Sequence, residues 1–481
     1  MRGKHFLVAM LFSVTLTPKS KAGTTSLKLS KASEAQGVSV EKLPSKDDSR
    51  PAHVYGQIRL EGMQYLTPVP DAPRLTYSQL LSARLTILKE ADWVDATLDA
   101  SAGTFFSRGQ THGIVHEAYL ASKGENFKTY VGRKKKDWSE VDHRWNLGLW
   151  QPYLTIDALR PEEEGLTGVF LDYSKKDWEL LGMVTPVFIP SMGPDIREEG
   201  GGLVADSRWY RAPSRNYDFN NRVNTISYRL DVPEQAKLIN NGGVSFLGRL
   251  GNKEKGLWIV AAAGYLPVND LILKRQAFKQ TSQDKVDVTV SPDVTHHQIQ
   301  SMDVGYAFNS VKTSVSFLQD SPETKMPDPE WSIQNLKPLK IYSAAVDFSL
   351  SNIMTKTIAV QLGYMKVDGG GIEDILSNGR PDDFTLYDAR LKFTNAAMVR
   401  MEGQLASILN RPLVTRFKYL YDYDQRGSLL NTEFLYYPNQ KWAVVMGGDA
   451  LGVQDENYKP SSFLNQFRAN DRFYGGMTYV F

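Results

Sequence analysis

Residues 342–364 read YSAAVDFSLSNIMTKTIAVQLGY. In the first nine, Tyr342, Ala344, Val346, Phe348 and Leu350 share one parity, and Ser343, Ala345, Asp347 and Ser349 share the other. After a short interruption, Ile358, Val360, Leu362 and Tyr364 alternate with Ala359, Gln361 and Gly363. A period of two over strand length puts each set on one face of a β-strand. The few residues between the runs leave no room for a crossover helix, so the pair predicts an antiparallel hairpin.

The pattern extends in both directions. Residues 386–393 set Tyr387, Ala389, Leu391 and Phe393 against Asp388, Arg390 and Lys392. Residues 399–405 set Val399, Met401, Gly403 and Leu405 against Arg400, Glu402 and Gln404, and residues 417–423 set Phe417, Tyr419, Tyr421 and Tyr423 against Lys418, Leu420 and Asp422. Noisier alternation follows at 431–437 and 442–449; upstream, 224–232, 302–308 and 311–317 repeat it, the last two joined at Asn309-Ser310. Tight connectors alternate with long ones rich in Gly, Pro, Asp and Asn, namely 133–160, 190–223, 274–298, 319–340 and 366–384. Short turns at one end and long loops at the other are the division found in outer-membrane barrels. The reading is all-β: a transmembrane antiparallel β-barrel with long extracellular loops and about 18 strands, an even number from 16 to 20. An antiparallel sandwich with one wet face shares the alternation; the length of the meander and the two chain ends separate the two.

Both ends carry information. In MRGKHFLVAMLFSVTLTPKSKAG, Arg2 and Lys4 precede an apolar run from Phe6 to Leu16, and Ser20-Lys-Ala22 offers a cleavage site, so residues 1–22 read as a signal peptide. Residues 23–52 are small, polar and charged with no aromatic, and read as a flexible periplasmic leader. The barrel is expected over 53–481. The chain stops on DRFYGGMTYVF, where Phe473, Met477, Tyr479 and Phe481 share the parity suited to lipid, opposite Arg472, Tyr474, Thr478 and Val480. That strand is expected to pair with one near 53–65, because an open edge in hydrocarbon would strand backbone polar groups.

Composition excludes several classes. Beyond the N-terminus there is no apolar run of about 18 residues, as a helical membrane protein requires. There are no cysteines, so thiol catalysis, thiolate metal sites and a lipid-anchoring cysteine are excluded. Net charge is +2, from 56 basic and 54 acidic residues, and gives no footprint for nucleic acid. No hydrolase elbow, phosphate-binding loop, zinc-protease motif or dinucleotide fingerprint is present. A Ser101, His112 or His116, Asp99 grouping is read as proximity in sequence rather than a triad. The expectation is a non-enzyme with no cofactor and no metal.

Lumen or constriction residues are expected at Asp388, Arg390, Lys392, Arg400, Glu402 and Lys418, with Asp347 and Asp422 on the same wet face. Loop 190–222 adds Arg208, Arg211 and Arg215 between aromatics and either folds inward, offering guanidinium groups to an anion, or covers the outside. A second loop carries the cluster Arg133, Lys134, Lys135 and Lys136 and the acidic run Glu162–Glu164. It is either a charge-sorting rim or a solvated loop pairing with its neighbours. Its Trp138, Trp145 and Trp150 are expected as membrane-interface anchors in preference to sugar platforms.

The export signal, the meander over 53–481 and the closing phenylalanine together resemble bacterial outer-membrane barrel proteins of the porin type. YVGRKKKDW is similar to the strand and following loop of substrate-specific and polysaccharide-export porins; the likeness is carried by Gly132 and Arg133 and transfers no substrate. The resemblance implies location in the outer membrane, contact with its lipid and lipopolysaccharide, insertion by the barrel assembly machinery through a terminal aromatic, and in some members a homo-trimer. It implies passive diffusion of small polar solutes, with anionic or sugar-like ones favoured if loop 190–222 enters the lumen. The alternative is a structural barrel with an occluded lumen that binds an envelope protein.

Overall fold

The computed structural model describes residues 52–69, 75–107, 109–219, 222–280, 284–353, 356–382 and 390–481. The signal peptide, most of the leader and Asp388 lie outside them. The barrel strands, in chain order, are β1 (His53–Tyr65), β2 (Tyr77–Glu90), β3 (Val94–Phe105), β4 (Gln110–Ser122), β5 (Phe127–Lys134) and β6 (Leu166–Lys175). Next come β7 (Trp178–Thr185), β8 (Gly243–Asn252), β9 (Lys255–Pro267), β10 (His296–Phe308), β11 (Val311–Pro322) and β12 (Leu339–Ile353). The last six are β13 (Lys356–Gly369), β14 (Asn395–Ile408), β15 (Arg411–Asp422), β16 (Gly427–Tyr436), β17 (Trp442–Val453) and β18 (Arg472–Val480).

These eighteen strands form one sheet in sequence order, and every neighbouring pair is antiparallel. β18 returns to β1 with Val480 opposite Gln57 and Arg472 opposite Tyr65, so the sheet closes. The seam ends in a reciprocal backbone pair, Gly56 N–H to Phe481 O at 3.0 Å and Phe481 N–H to Gly56 O at 2.9 Å. A Cβ at Gly56 would lie 2.2 Å from the Phe481 ring. The terminal aromatic therefore occupies the space that the missing side chain leaves at the seam.

The two faces differ as the alternation predicts. Leu60, Leu85, Leu120, Leu171, Leu180, Leu257, Val315, Leu362, Met401, Met446 and Met477 point outward and are exposed, and Phe246 and Leu250 on β8 are each 63% exposed. An apolar belt of this extent would drive a soluble protein to aggregate. With the backbone closed on itself, it belongs in hydrocarbon. Phe473, Met477 and Phe481 lie on this belt side, while Arg472 and Tyr474 are buried inside.

One alternating run was misleading. Leu391 and Phe393 read as lipid-facing members of a strand, but residues 390–394 are irregular, and both side chains are buried in the interior. Phe393 packs edge-on against Phe463 at 5.7 Å. The alternation there arises because this connector folds inward and meets another loop, not because it spans the membrane.

Turns at 91–93, 176–177, 253–254, 309–310 and 409–410 lie at the end where the barrel begins and finishes. The opposite end carries 135–165, 186–242, 268–295, 323–338, 370–394 and 454–471. Segments of four of these loops build a six-stranded sheet in the order Asn216–Phe219, Arg222–Leu230, Lys285–Asp293, Ile272–Gln280, Trp331–Leu336 and Ile372–Leu376. Arg275 is buried there and pairs with Asp374 and Asp382, tying two of the loops together.

Candidate functional site

Loop 135–165 enters the barrel between β5 and β6. Its root is set by Gly132, whose φ of 129° a side chain would not tolerate, since a Cβ would lie 2.2 Å from Ala118 O. Arg133 then pairs with Glu164 and donates Nε–H to Gly165 O at 2.9 Å, clamping the two ends of the loop. Lys134 lies over the Tyr119 and Tyr130 rings at 4.5 and 4.4 Å. Lys135 donates its backbone N–H to Glu117, and Lys136 pairs with Glu179. The basic cluster thus fastens the loop to the wall, Glu162 does the same from the other side by meeting His116 at 3.2 Å, and Glu163 accepts from Gln151 within the loop at 2.6 Å.

A short helix, α1 (Glu140–Trp145), runs deep in the lumen along β9 to β12. Lys253 in the turn after β8 reaches Glu140 at 2.7 Å, Asp303 on β10 accepts its backbone N–H at 3.0 Å, and Arg144 makes two bonds to Asp347 on β12 at 2.8 and 3.0 Å. Burial pushes the Glu140 carboxyl up, but Lys253 and Lys312 outweigh it and hold it at about 2. The chain then doubles back because Asp142 accepts the N–H groups of Leu149 and Trp150 at 2.9 and 3.0 Å; burial raises that carboxyl to about 6 despite these bonds.

Farther along, the loop meets the opposite wall. Arg160 binds Glu61 on β1 at 2.6 Å and sits over the Tyr474 ring at 3.8 Å, while Asp157 binds Arg472 on β18 at 2.7 Å. In a ring of eighteen strands, β9 to β12 and β17 to β1 are about half a circumference apart. One loop anchored to both crosses the lumen.

The tryptophans make up its core. Trp138, Trp145 and Trp150 are buried, Trp138 and Trp150 stack at 5.2 Å, and they pack with Trp258, Ile299, Ile341 and Met365 from the inner wall. This corrects the expectation of interface anchors: a tryptophan in a loop that folds inward never reaches the membrane surface. Ser101 and His116 do come together, with Oγ to Nε2 at 2.9 Å. His116 Nδ1 faces the Glu163 carbonyl at 3.2 Å, however, and Asp99 is engaged by Arg84 at 2.8 and 2.5 Å. A carbonyl accepts from Nδ1–H, and Nε2 faces both Ser101 Oγ and the Glu162 carboxylate, so the histidine is a buried strut between wall and loop.

The arginines of loop 190–222 engage loop backbone. Buried Arg208 donates to Asn470 Oδ1 at 3.0 Å, Leu75 O at 3.0 Å, Thr67 O at 2.6 Å and Ala469 O at 2.5 Å. Arg211 donates twice to Gln466 O, and exposed Arg215 donates to Gly200 O. Met192, near the start of the same loop, pairs through its backbone with Tyr153 and Thr155 of the crossing loop.

Arg390 pairs with buried Asp320, which His297 also contacts at 2.6 Å. Lys392 donates to Ala158 O of the crossing loop at 2.9 Å. On β14 and β15, Arg400 stands directly opposite Lys418, and Glu402 opposite Arg416. Arg416 bridges Glu402 and Glu433 at 3.1 and 3.2 Å, and Arg400 approaches Glu402 at 3.9 Å. Lys418 has no ion-pair partner among the described residues. The Arg400 side chain is 33% exposed, against 6% for Arg144 of the crossing loop.

No family model and no curated protein matches the chain. Among solved structures it is similar to Pseudomonas aeruginosa OccK8 (OprE), at 10% identity over 89% of this chain and 98% of that one, TM-score 0.47. It is also similar to Acinetobacter baumannii OccAB3, at 12% identity over 89% and 99%, TM-score 0.45, and to the outer membrane protein OmpT of Vibrio cholerae, at 11% over 90% and 99%, TM-score 0.37. The assignment rests instead on the closed ladder and the apolar belt. The chain is a closed eighteen-stranded transmembrane β-barrel. Its long loops stand at one end and its short turns at the other, the asymmetry found in outer-membrane barrels.

Proposed function

We propose that the protein is a constricted channel for passive diffusion of small polar solutes and that it favours anionic or sugar-like ones. One observation carries the anionic preference: Arg400 and Lys418 face each other across adjacent strands inside the barrel. Like charges directly opposite are destabilising, and Lys392 lies close enough to add to the repulsion at Lys418. A passing carboxylate or phosphate supplies the ion-pair partner that Lys418 lacks among the described residues. The crossing loop narrows the route and presses solutes toward this wall.

In planar bilayers under a salt gradient, the protein should give ohmic steps with a reversal potential favouring anions. An Arg400→Met/Lys418→Met variant should lower the anion-to-cation permeability ratio by about fivefold in 0.1 M salt and much less in 1 M, where the Debye length shrinks to about 3 Å. Burial lowers the Lys392 ammonium to about 8, with Asp270 and Asp157 partly offsetting it. Lys392 is therefore charged at pH 7 and neutral at pH 9, so anion preference should fall between those values, and Lys392→Met should remove that step. A persistently silent bilayer would favour the occluded, partner-binding barrel.

The closing strand supports a second part of the proposal, that Phe473, Met477, Tyr479 and Phe481 are read by the barrel assembly machinery. Phe481→Ser should reduce inserted protein several-fold and leave the conductance of inserted molecules unchanged. Normal membrane levels would remove the assignment.

A further inference from the structure

The six-stranded loop sheet has a short edge. Its last strand, Ile372–Leu376, pairs on one side with Trp331–Leu336, and its other side meets its own returning chain, with Leu376 N–H to Arg380 O at 2.8 Å and Asp382 N–H to Asp374 O at 2.7 Å. Such an element opens at lower cost than the strands inside a sheet. Asp374, at the middle of this edge, is completely buried and pairs with Arg275 of the strand Ile272–Gln280. Asp382, a quarter exposed, reaches the same guanidinium at 3.2 Å. Arg275 belongs to loop 268–295 and Gln334, opposite Asp374 in the ladder, to loop 323–338, so three loops meet at this carboxyl.

The charges around Asp374 do not balance. Among the described residues, Arg275 is the one cation that acts on it, Asp382 repels it, and Gln334 across the ladder is neutral. Its neighbour Glu373 takes the opposite face and pairs with Lys337 at 3.1 Å. Asp374 Oδ1 is buried without a hydrogen-bond donor among the described residues. A proton on Asp374 removes the repulsion and the desolvation of the bare oxygen, and leaves Arg275 paired with Asp382. Burial raises this carboxyl to about 6, with Asp382 adding to the effect and Arg275 opposing it. When the strand opens and the group is wetted, it returns to the ordinary carboxylate range. A value raised in the closed state means stability that is fully present below the ordinary range and lost as pH rises through about 6.

The loop that begins at this edge ends inside the barrel. There Arg390 pairs with Asp320 on β11, Lys392 donates to Ala158 O of the crossing loop at 2.9 Å, and the Thr394 backbone N–H donates to Asp422 at 2.9 Å. We propose that Ile372–Leu376 is an acid-tightened latch: a proton taken by Asp374 from solvent at the long-loop end locks this strand onto the loop sheet and so holds the inner end of loop 370–394, with Arg390 and Lys392, in the lumen. At neutral pH the strand opens more often, and each opening slackens the segment that carries these two cations. Acid therefore closes the device.

The test is hydrogen exchange read by mass spectrometry on the full barrel in detergent, at about pH 7.5 and about pH 5, with the intrinsic pH dependence of exchange divided out. Protection of 372–376 should rise about tenfold at the lower pH, the shift for one carboxyl held at about 6 in the closed state and at the ordinary 3.8 in the open one. Protection of 390–396 should rise with it. Asp374→Asn, which is uncharged and leaves Arg275 with Asp382, should show the acid level of protection at both pH values. Ser332→Cys/Leu376→Cys places two thiols directly opposite each other in a chain without cysteines; oxidation should also give the acid level at both pH values, and reduction should restore the response. Heat-modifiable electrophoretic mobility reports whether each variant is folded. A pH response that persists in Asp374→Asn would overturn the proposal and assign the response to another carboxyl, Asp142 first. Tightening of 372–376 by acid or by the disulfide with no change at 390–396 would overturn the coupling to the lumen. Exchange is read without current, so a silent bilayer and a failed latch are separate results.

Discussion

Replacing Arg472 with methionine is expected to remove about 3–5 kcal/mol of stability, the range for breaking a buried ion pair from one side. Arg472 is fully buried; it binds Asp157 of the crossing loop at 2.7 Å and Asp449 on β17 at 2.6 Å. Its neighbour Arg160 binds Glu61 at 2.6 Å and lies 3.8 Å from Asp449. Arg59 also pairs with Glu61, so three guanidinium groups serve three carboxylates, and loss of Arg472 leaves Asp157 and Asp449 short of a cation. The measurement is a urea titration of the refolded barrel in detergent, followed by tryptophan fluorescence and mobility. Adding Asp157→Asn and Asp449→Asn should recover most of the loss, because the harm lies in the unpaired charges. A single variant within about 1 kcal/mol of the parent would contradict this. Burial raises the Asp157 carboxyl, and Arg472 and Arg160 more than reverse that, so its folded pKa lies below the unfolded value. Its contribution is therefore present above the ordinary carboxylate range and lost only as pH falls through the lowered value, and the contact should hold in mild acid.

Arg472 also shows what a sequence reveals and what it withholds. Its parity, opposite Phe473, Met477 and Phe481, assigns it to the inner face, where it is buried; the same reasoning assigns Arg400, Glu402 and Lys418 to the wet face. Strand alternation is local, and in a barrel it maps directly onto lipid and lumen. Loops have no such rule. Arg144 meets Asp347 across 203 residues, and Arg208 meets Asn470 across 262; no spacing within either segment announces a partner so distant. Leu391 and Phe393 alternate like strand residues yet face other loops, because period two reports two faces without saying what covers each. The tryptophans at 138, 145 and 150 fail for a related reason: composition shows that they need burial, and only the path of the loop decides whether lipid or protein provides it. A usable signal was present in Gly132-Arg133, where a glycine next to a cation marks the bend at which the chain leaves the wall.

Because that bend commits the loop to the lumen, cutting the loop out should have the largest effect on transport. Lys134 and Leu166 are already opposite each other at the last rung of the β5–β6 ladder. A short turn can therefore replace residues 135–165 without disturbing the strands, and the closed ladder keeps its hydrogen bonds. Conductance scales with open cross-section, and the removed segment spans the lumen from Glu140 to Arg160. Single-channel conductance should rise at least about twofold in a barrel of this strand number, whose lumen side chains alone do not fill. Anion preference should fall with it, since solutes would no longer be pressed toward Arg400 and Lys418. Stability should drop as well, because Trp258, Ile299 and Ile341 would lose their apolar cover. If conductance stayed at the parent value while the variant inserted normally, the constriction would have to lie in the outer loops held by Arg208, and the crossing loop would be a brace for the wall.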